Sequence, residues 1–382
     1  MNIDMIKELY WNTIVPRLCF IPYFVARAIL SVIATICWLS GSLRKRVASV
    51  HLCIEAGERG WESIEFKELY QSACEYLSPK NVHPLVVQSD QSYLKQIANL
   101  LRSEQITHYL YDPRTNNSNL LFWRGLWNSF CVAILLTQKG VIPIVLLTDL
   151  SVRTWRAQAA IVSARKGIVV CFMSPKCVGS IFPHRRLLGP SLMSFSVQTL
   201  QMLNGLIESR EANMLPTALF TGSLYEPRAA RLEKIRMGLA EQGLVLDIKG
   251  RAMGSERVSD AVYWARLCYA DIVVTTADQS IQNGTDWNHI PHLIYRYIEV
   301  LASGALLVAQ DVPSVRRYFI PGVHFITFDS AESAVVVISH YLRNDAERVI
   351  IASQGKARAD SLIRAGFFWV QLDSSLGRDA LI

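Results

Sequence analysis

Apolar and polar positions along the chain fall into three regimes. From Leu18 to Leu43 the residues are uncharged and largely apolar apart from Arg27, with Pro22 near the start. After Val47, short and nearly continuous apolar runs alternate with longer amphipathic ones, and the alternation restarts after an irregular segment, Ser180 to Ser196.

The middle regime predicts a strand over VASVHLCI ending near Ile54, a helix over Glu65 to Leu77, and a strand in HPLVVQ. A helix over Gln91 to Leu101, the strand THYLY ending at Tyr111 and a helix over Leu120 to Gln138 follow. VIPIVLL, a helix from Val152 to Arg165 and GIVVCFM complete it. Strands without alternation, separated by helices, imply a parallel sheet covered on both faces. Pro183, Gly189 and Pro190 mark Ser180 to Ser196 as a linker.

The third regime has strands at TALFT ending at Thr221, LVLDI ending at Ile248, ADIVVTT, ALLVA and HFITF. Its helices are expected over Arg228 to Gln242, over Ser259 to Tyr269, through Ile294 to Leu301, and as two C-terminal helices from Ala331 onward. The chain thus divides into an N-terminal apolar segment (1–46), expected to associate with a membrane, and two Rossmann-like α/β domains, 47–195 and 196–382. Its length of 382 residues exceeds what one core usually serves. In sheets of this kind ligands bind beyond the carboxyl ends of the strands, so residues just after strands are the ones to search.

The first regime is short for a membrane crossing: Ala28 to Leu43 makes a helix of roughly 24 Å. A spanning anchor, an interfacial helix and a helix buried against the first domain all remain open. Arg44, Lys45 and Arg46 follow at once, which puts the downstream side in the cytoplasm. Basic residues placed after the apolar run do not make a cleavable signal peptide.

Composition adds little beyond this. Half the residues are hydrophobic (51%), which excludes extensive disorder. The net charge of +7 favours an anionic partner, but the basic residues are dispersed and lack a stacking motif, so nucleic acid is not expected. No two of the eight cysteines have CxxC spacing, so they read as buried thiols in a reducing compartment, without disulfides or bound metal.

Two places carry candidate chemistry. TGSLYEPR follows the first strand of the second domain; Gly222 and Ser223 let backbone N–H groups approach an anion, and Arg228 offers a bidentate phosphate contact. An ordinary turn with a solvated arginine is the alternative there. Glu299 is a carboxylate among Ile294, Tyr297, Ile298 and Leu301, near the end of a helix that Gly304 stops. The helix dipole disfavours a negative charge at that end, so Glu299 needs a partner. Arg296 is one, and a ribose diol is the other.

The stretch 293–358, with its Arg–aromatic–x–Glu–x–Leu–Ala–Ser–Gly–Ala run and the Asp–x–Pro turn at Asp311, resembles the C-terminal domain of group-1 glycosyltransferases, and within them the CgeB-like subgroup. The resemblance implies an α/β protein of GT-B fold, two Rossmann-like parallel-sheet domains facing a cleft, the first (47–195) an acceptor domain and the second (196–382) a nucleotide-sugar-binding domain, here with an added N-terminal apolar helical segment (1–46). It implies that Glu299 contacts the donor's ribose, that Gly304 is the glycine after its helix, and that Gly222 and Ser223 face the diphosphate. Many group-1 enzymes have a second glutamate eight residues earlier, where this chain has Pro291. The chain also lacks the Asp–x–Asp with which GT-A enzymes hold a divalent metal.

On the acceptor side, EAGERGWES places Glu58 as the candidate general base, with Asp90, Asp112, Asp149 and His184 as competitors and HRR at 184–186 as a possible phosphate receiver. For any single one of these acids a capping or turn role is the stronger reading, and the HRR run has facing water as its alternative. The tripeptides at Asn116 and Asn283 are taken as accidental, and the polar loop from Thr276 through Trp287 as a cover over donor or acceptor. The expected function is metal-independent transfer of a hexosyl group from a nucleotide diphosphate sugar to a hydroxyl on a glycan or lipid-linked acceptor. The expected place is the cytoplasmic face of the bacterial inner membrane, or the cytoplasm, with no cofactor besides the donor. The alternative, from another class, is a catalytically inactive GT-B partner that binds sugar nucleotide or glycan. A sugar-nucleotide epimerase of the same shape is a third reading.

Overall fold

The computed structural model describes residues 20–40, 49–57, 60, 62–114, 122–148, 153–179, 186–210, 217–252, 258–277, 293–377 and 381. The chain forms two compact units: Met1–Ser191 together with Phe368–Ile382, and Leu192–Phe367.

The first unit opens with helix α1 (Phe20–Leu39) and continues through β1 (Leu52–Gly57), α2 (Ile64–Leu77), β2 (Val82–Val87), α3 (Tyr93–Ser103) and β3 (His108–Tyr111). Then come α4 (Phe122–Lys139), β4 (Ile142–Leu147), α5 (Arg153–Ser163), β5 (Ile168–Cys171), α6 (Pro175–Gly179) and the two-residue β6 (Leu187–Leu188). The strands are parallel in the order β2-β1-β3-β4-β5-β6. Every residue of β3, β4 and β5 is buried, as unbroken apolar runs require of strands covered on both faces.

The second unit contains α7 (Val197–Glu208), β7 (Ala218–Leu224), α8 (Arg228–Ala240), β8 (Leu246–Ala252), α9 (Asp260–Tyr269) and β9 (Ile272–Thr275). It continues with α10 (Arg296–Ala302), β10 (Leu306–Gln310), β11 (Ile326–Phe328), α11 (Ala331–Arg343) and α12 (Asp345–Arg364). Its parallel order is β11-β10-β9-β7-β8. The strand order reverses between β7 and β9, as it does between β1 and β3 in the first unit. These switch points are where open α/β sheets bind ligands.

Four features differ from the sequence expectation. The supposed linker contributes β6 to the first sheet, because Leu187 and Leu188 pair with Val169 and Val170. Helix α7 follows it, capped by Ser196, whose hydroxyl accepts from the Thr199 N–H at 3.1 Å. The C-terminal region has three helices, not two, and the third, α13 (Phe367–Leu376), lies almost wholly in the first unit. Trp369 fixes it there, donating from its indole nitrogen to Ser72 Oγ at 3.0 Å and stacking on Tyr76.

Candidate functional site

Gly222 and Ser223 are not in a loop. β7 runs on to Leu224 because β8 extends with it, Gly222 opposite Gly250 and Ser223 opposite Arg251. Gly222 has φ +149°, a conformation L side chains rarely adopt, so glycine is required by the backbone. A Cβ built there would stand 3.5 Å from Arg296 Nη2, so the Arg296 guanidinium lies over the end of this strand.

Arg296 is the first residue of α10, and Glu299 stands one turn on, with Arg296 Nη1 3.6 Å from Glu299 Oε2. The helix has only seven residues and begins after Tyr295. Glu299 is therefore in its first turn, and the expectation of a carboxylate near the negative end of a longer helix is corrected. Both ends of the ion pair are largely buried, with side-chain exposures of 18% and 5%. Arg296 also donates to Tyr263 Oη of α9. Burial works against its charge, but Tyr263 and Glu299 outweigh that and raise its pKa above the ordinary arginine value.

Arg228 opens α8 and bridges the switch point. Its Nε donates to Thr276 Oγ1 at 2.9 Å, directly after β9, and its Nη1 donates to the Ser223 carbonyl at 3.2 Å. The Tyr225 ring lies 4.2 Å below its guanidinium carbon. Gly222, Ser223, Arg228, Arg296 and Glu299 are thus brought to the carboxyl edge of one sheet. Gly304 is not: it follows the C-cap Ser303 with φ +78°, at the amino end of β10, and its role is to end the helix. Sequence reasoning missed Tyr225, Tyr263 and Thr276, which hold the two arginines from three separate elements and share no local spacing.

In the first unit, Glu58, Asp149 and His184 lie outside the described residues, as do Pro291, Asn116, Asn283 and the loop 278–292. Asp112 is fully buried and held by Arg114, with Nη2 2.7 Å from Oδ2 and the Arg114 backbone N–H donating to Oδ1 at 2.8 Å. Arg114 also reaches Glu65 at 3.2 Å. This is a structural ion-pair cluster, and Asp112 leaves the set of candidate bases. Asp90 sits exposed in the turn after β2. Arg186 of the HRR run donates to the Lys166 carbonyl at 2.9 Å and the Leu376 carbonyl at 3.3 Å, which ties the turn after α5 to the end of α13.

Sequence reasoning also missed a buried carboxylate in this unit. Glu55, inside β1, is completely buried and accepts from Tyr93 Oη at 2.8 Å and Tyr109 Oη at 2.6 Å. Burial pushes its carboxyl up to about 8, against the two tyrosine donors, which favour the ionised form. A glutamate within an apolar strand was the available signal, of the same kind that drew attention to Glu299.

Two open parallel sheets of this order match the GT-B fold. Residues 232–363 match a family described as glycosyl transferase-like. Among solved structures, the chain is similar to HepE of Anabaena in complex with UDP and glucose, at 11% identity and a TM-score of 0.55, covering 86% of this chain and 100% of that one. HepE in complex with UDP-glucose aligns at 11% identity and a TM-score of 0.53, covering 86% and 98%. Comparison with curated proteins finds no match.

Proposed function

We propose that the second unit binds a nucleotide diphosphate sugar at the carboxyl ends of β7 and β9, and that the protein transfers the sugar to a hydroxyl acceptor. The observation that carries this reading is the arginine pair at the switch point. Arg228 joins β7 to β9 through Ser223 and Thr276, and Arg296 stands over Gly222. Such a pair supplies positive charge where a diphosphate leaving group develops negative charge, with no metal ion required. Glu299 is placed on the same element as Arg296, and its carboxylate suits the two hydroxyls of a ribose. The match to a glycosyl transferase-like family and the UDP and UDP-glucose held by HepE support this donor class. A hexosyl group, a glycan or lipid-linked acceptor, Glu58 as base and the absence of a further cofactor belong to the same proposal.

Titration calorimetry with UDP and GDP, followed by donor turnover with and without EDTA, tests it. Submicromolar to millimolar nucleotide binding that Glu299→Ala weakens, with EDTA-resistant turnover, is the expected result. The second reading, a binding partner without activity, is favoured by Pro291 in place of the first group-1 glutamate. It predicts nucleotide binding with no transfer and no hydrolysis. Interconversion of the free donor without an acceptor indicates an epimerase instead.

A further inference from the structure

α1 has two apolar faces, and the protein uses only one of them. Tyr23, Ala26, Leu30 and Ala34 are buried, and α1 packs along α4 and α5. Ile21, Val25, Ile29, Val32, Ile36 and Leu39 are each between 40 and 71% exposed. At about 100° per residue, these six fall within about 80° of one another, on the side opposite the buried four. The polar residues of the flank are internally satisfied: Ser31 Oγ donates to the Arg27 carbonyl at 2.8 Å and Thr35 Oγ1 to the Ser31 carbonyl at 3.0 Å. An exposed aliphatic stripe of this length marks an interaction surface.

Charge identifies the occupant. Arg44, Lys45 and Arg46 follow the helix in sequence, and Arg165 at the end of α5 neighbours Cys37 near the end of α1. Trp38, on α1 itself and 70% exposed, adds an amphipathic ring of the kind enriched at lipid headgroups. An aliphatic face with cations at its end fits an anionic lipid surface.

We propose that α1 lies in the plane of an anionic bilayer as a monotopic platform for the first unit, and does not cross it. Ile21–Leu39 is apolar enough to span, with a mean hydropathy of 1.7. The packing argues otherwise. The buried stripe from Tyr23 to Ala34 occupies three turns of the helix on α4 and α5. Spanning would strip those side chains from the protein, or drag α5, with Arg153 and the buried Arg156, into hydrocarbon. This inference does not depend on the transferase reading.

The test is co-flotation of the full chain with phosphatidylcholine vesicles, with and without phosphatidylglycerol. Binding to the anionic vesicles, weakened by salt, is expected. Val32→Asp and Ile36→Asp, both on the exposed face, should each reduce partitioning about tenfold or more at unchanged circular dichroism and Tm. Nitroxide labels at Val25→Cys, Val32→Cys and Ile36→Cys, read against the unsubstituted protein, should report one shared depth of about 5–10 Å below the headgroup boundary. A depth gradient passing through the bilayer centre, binding indifferent to the Asp variants, or self-association through α1 with no vesicle binding overturns the proposal.

Discussion

Arg296 Nη1 stands 3.6 Å from Glu299 Oε2, one turn along a helix whose seven residues are otherwise apolar. A buried pair of this kind needs further polar partners to offset its desolvation. Tyr263 supplies one for the arginine, and in the proposed complex a ribose diol would add to the interactions of the carboxylate. Glu299→Gln keeps the shape and removes the charge. The expected outcome is a rise of about a hundredfold in donor KM or Kd, as loss of charge-assisted hydrogen bonds implies, with a smaller change in kcat. A variant that loses stability but binds nucleotide unchanged would show that Glu299 serves Arg296 alone.

Gly222→Ala tests the strand end beneath Arg296. The new methyl would meet Arg296 Nη2 and Phe220 Cζ at 3.5 Å each, which is ordinary contact. The cost therefore comes from the backbone at φ +149°, not from crowding. Denaturant titration should show a loss of about 1–3 kcal/mol. Donor affinity should fall with it, because relieving the strain shifts the strand edge that Arg296 covers.

Glu55 gives the molecule a pH dependence with a definite sign. Its folded pKa of about 8 lies above the unfolded value near 4.5, so the folded state holds the proton more tightly. The stability it contributes is complete below pH 4.5, declines as pH rises towards 8, and is gone above that. Glu55→Gln removes the titration and keeps acceptors and donors for Tyr93 and Tyr109. Urea unfolding at pH 6 and pH 9 should therefore show the wild type losing stability relative to the variant, by a few kcal/mol in order of magnitude. Parallel pH curves would mean that Glu55 is already ionised at pH 6.

The strands were legible because β3, β4, β5, β9 and β10 are covered on both faces, which leaves a near-continuous apolar run for each. The end of β7 was not legible. Gly222 and Ser223 read as a turn, because glycine beside serine carries no sign that β8 will extend beside it as far as Ala252. Glu299 and Arg296 could be found because a charge in an apolar helix is visible from neighbours. Tyr263, Thr276 and Tyr225 could not, since their meaning comes from the arginines they hold across the sheet. The return of the last helix was equally hidden. FFWVQL reads as a generic apolar helix, and only the packing assigns it to the first unit.

That return makes a prediction about folding. Trp369 is 1% exposed, stacks on Tyr76 and donates to Ser72 Oγ, whose own hydrogen goes to the Leu69 carbonyl at 3.1 Å. Trp369→Ala removes a large side chain from a filled site and should cost about 3–5 kcal/mol. Trp369→Phe keeps most of the volume, and Ser72 keeps its carbonyl partner, so its cost should be about 1 kcal/mol. The two units have separate cores, so the loss should be local. Hydrogen exchange should show protection falling in α2, which carries Ser72 and Tyr76, while α11 and α12 keep theirs. Equal loss in both units would mean that they unfold as one cooperative body, and that α13 stabilises the whole chain.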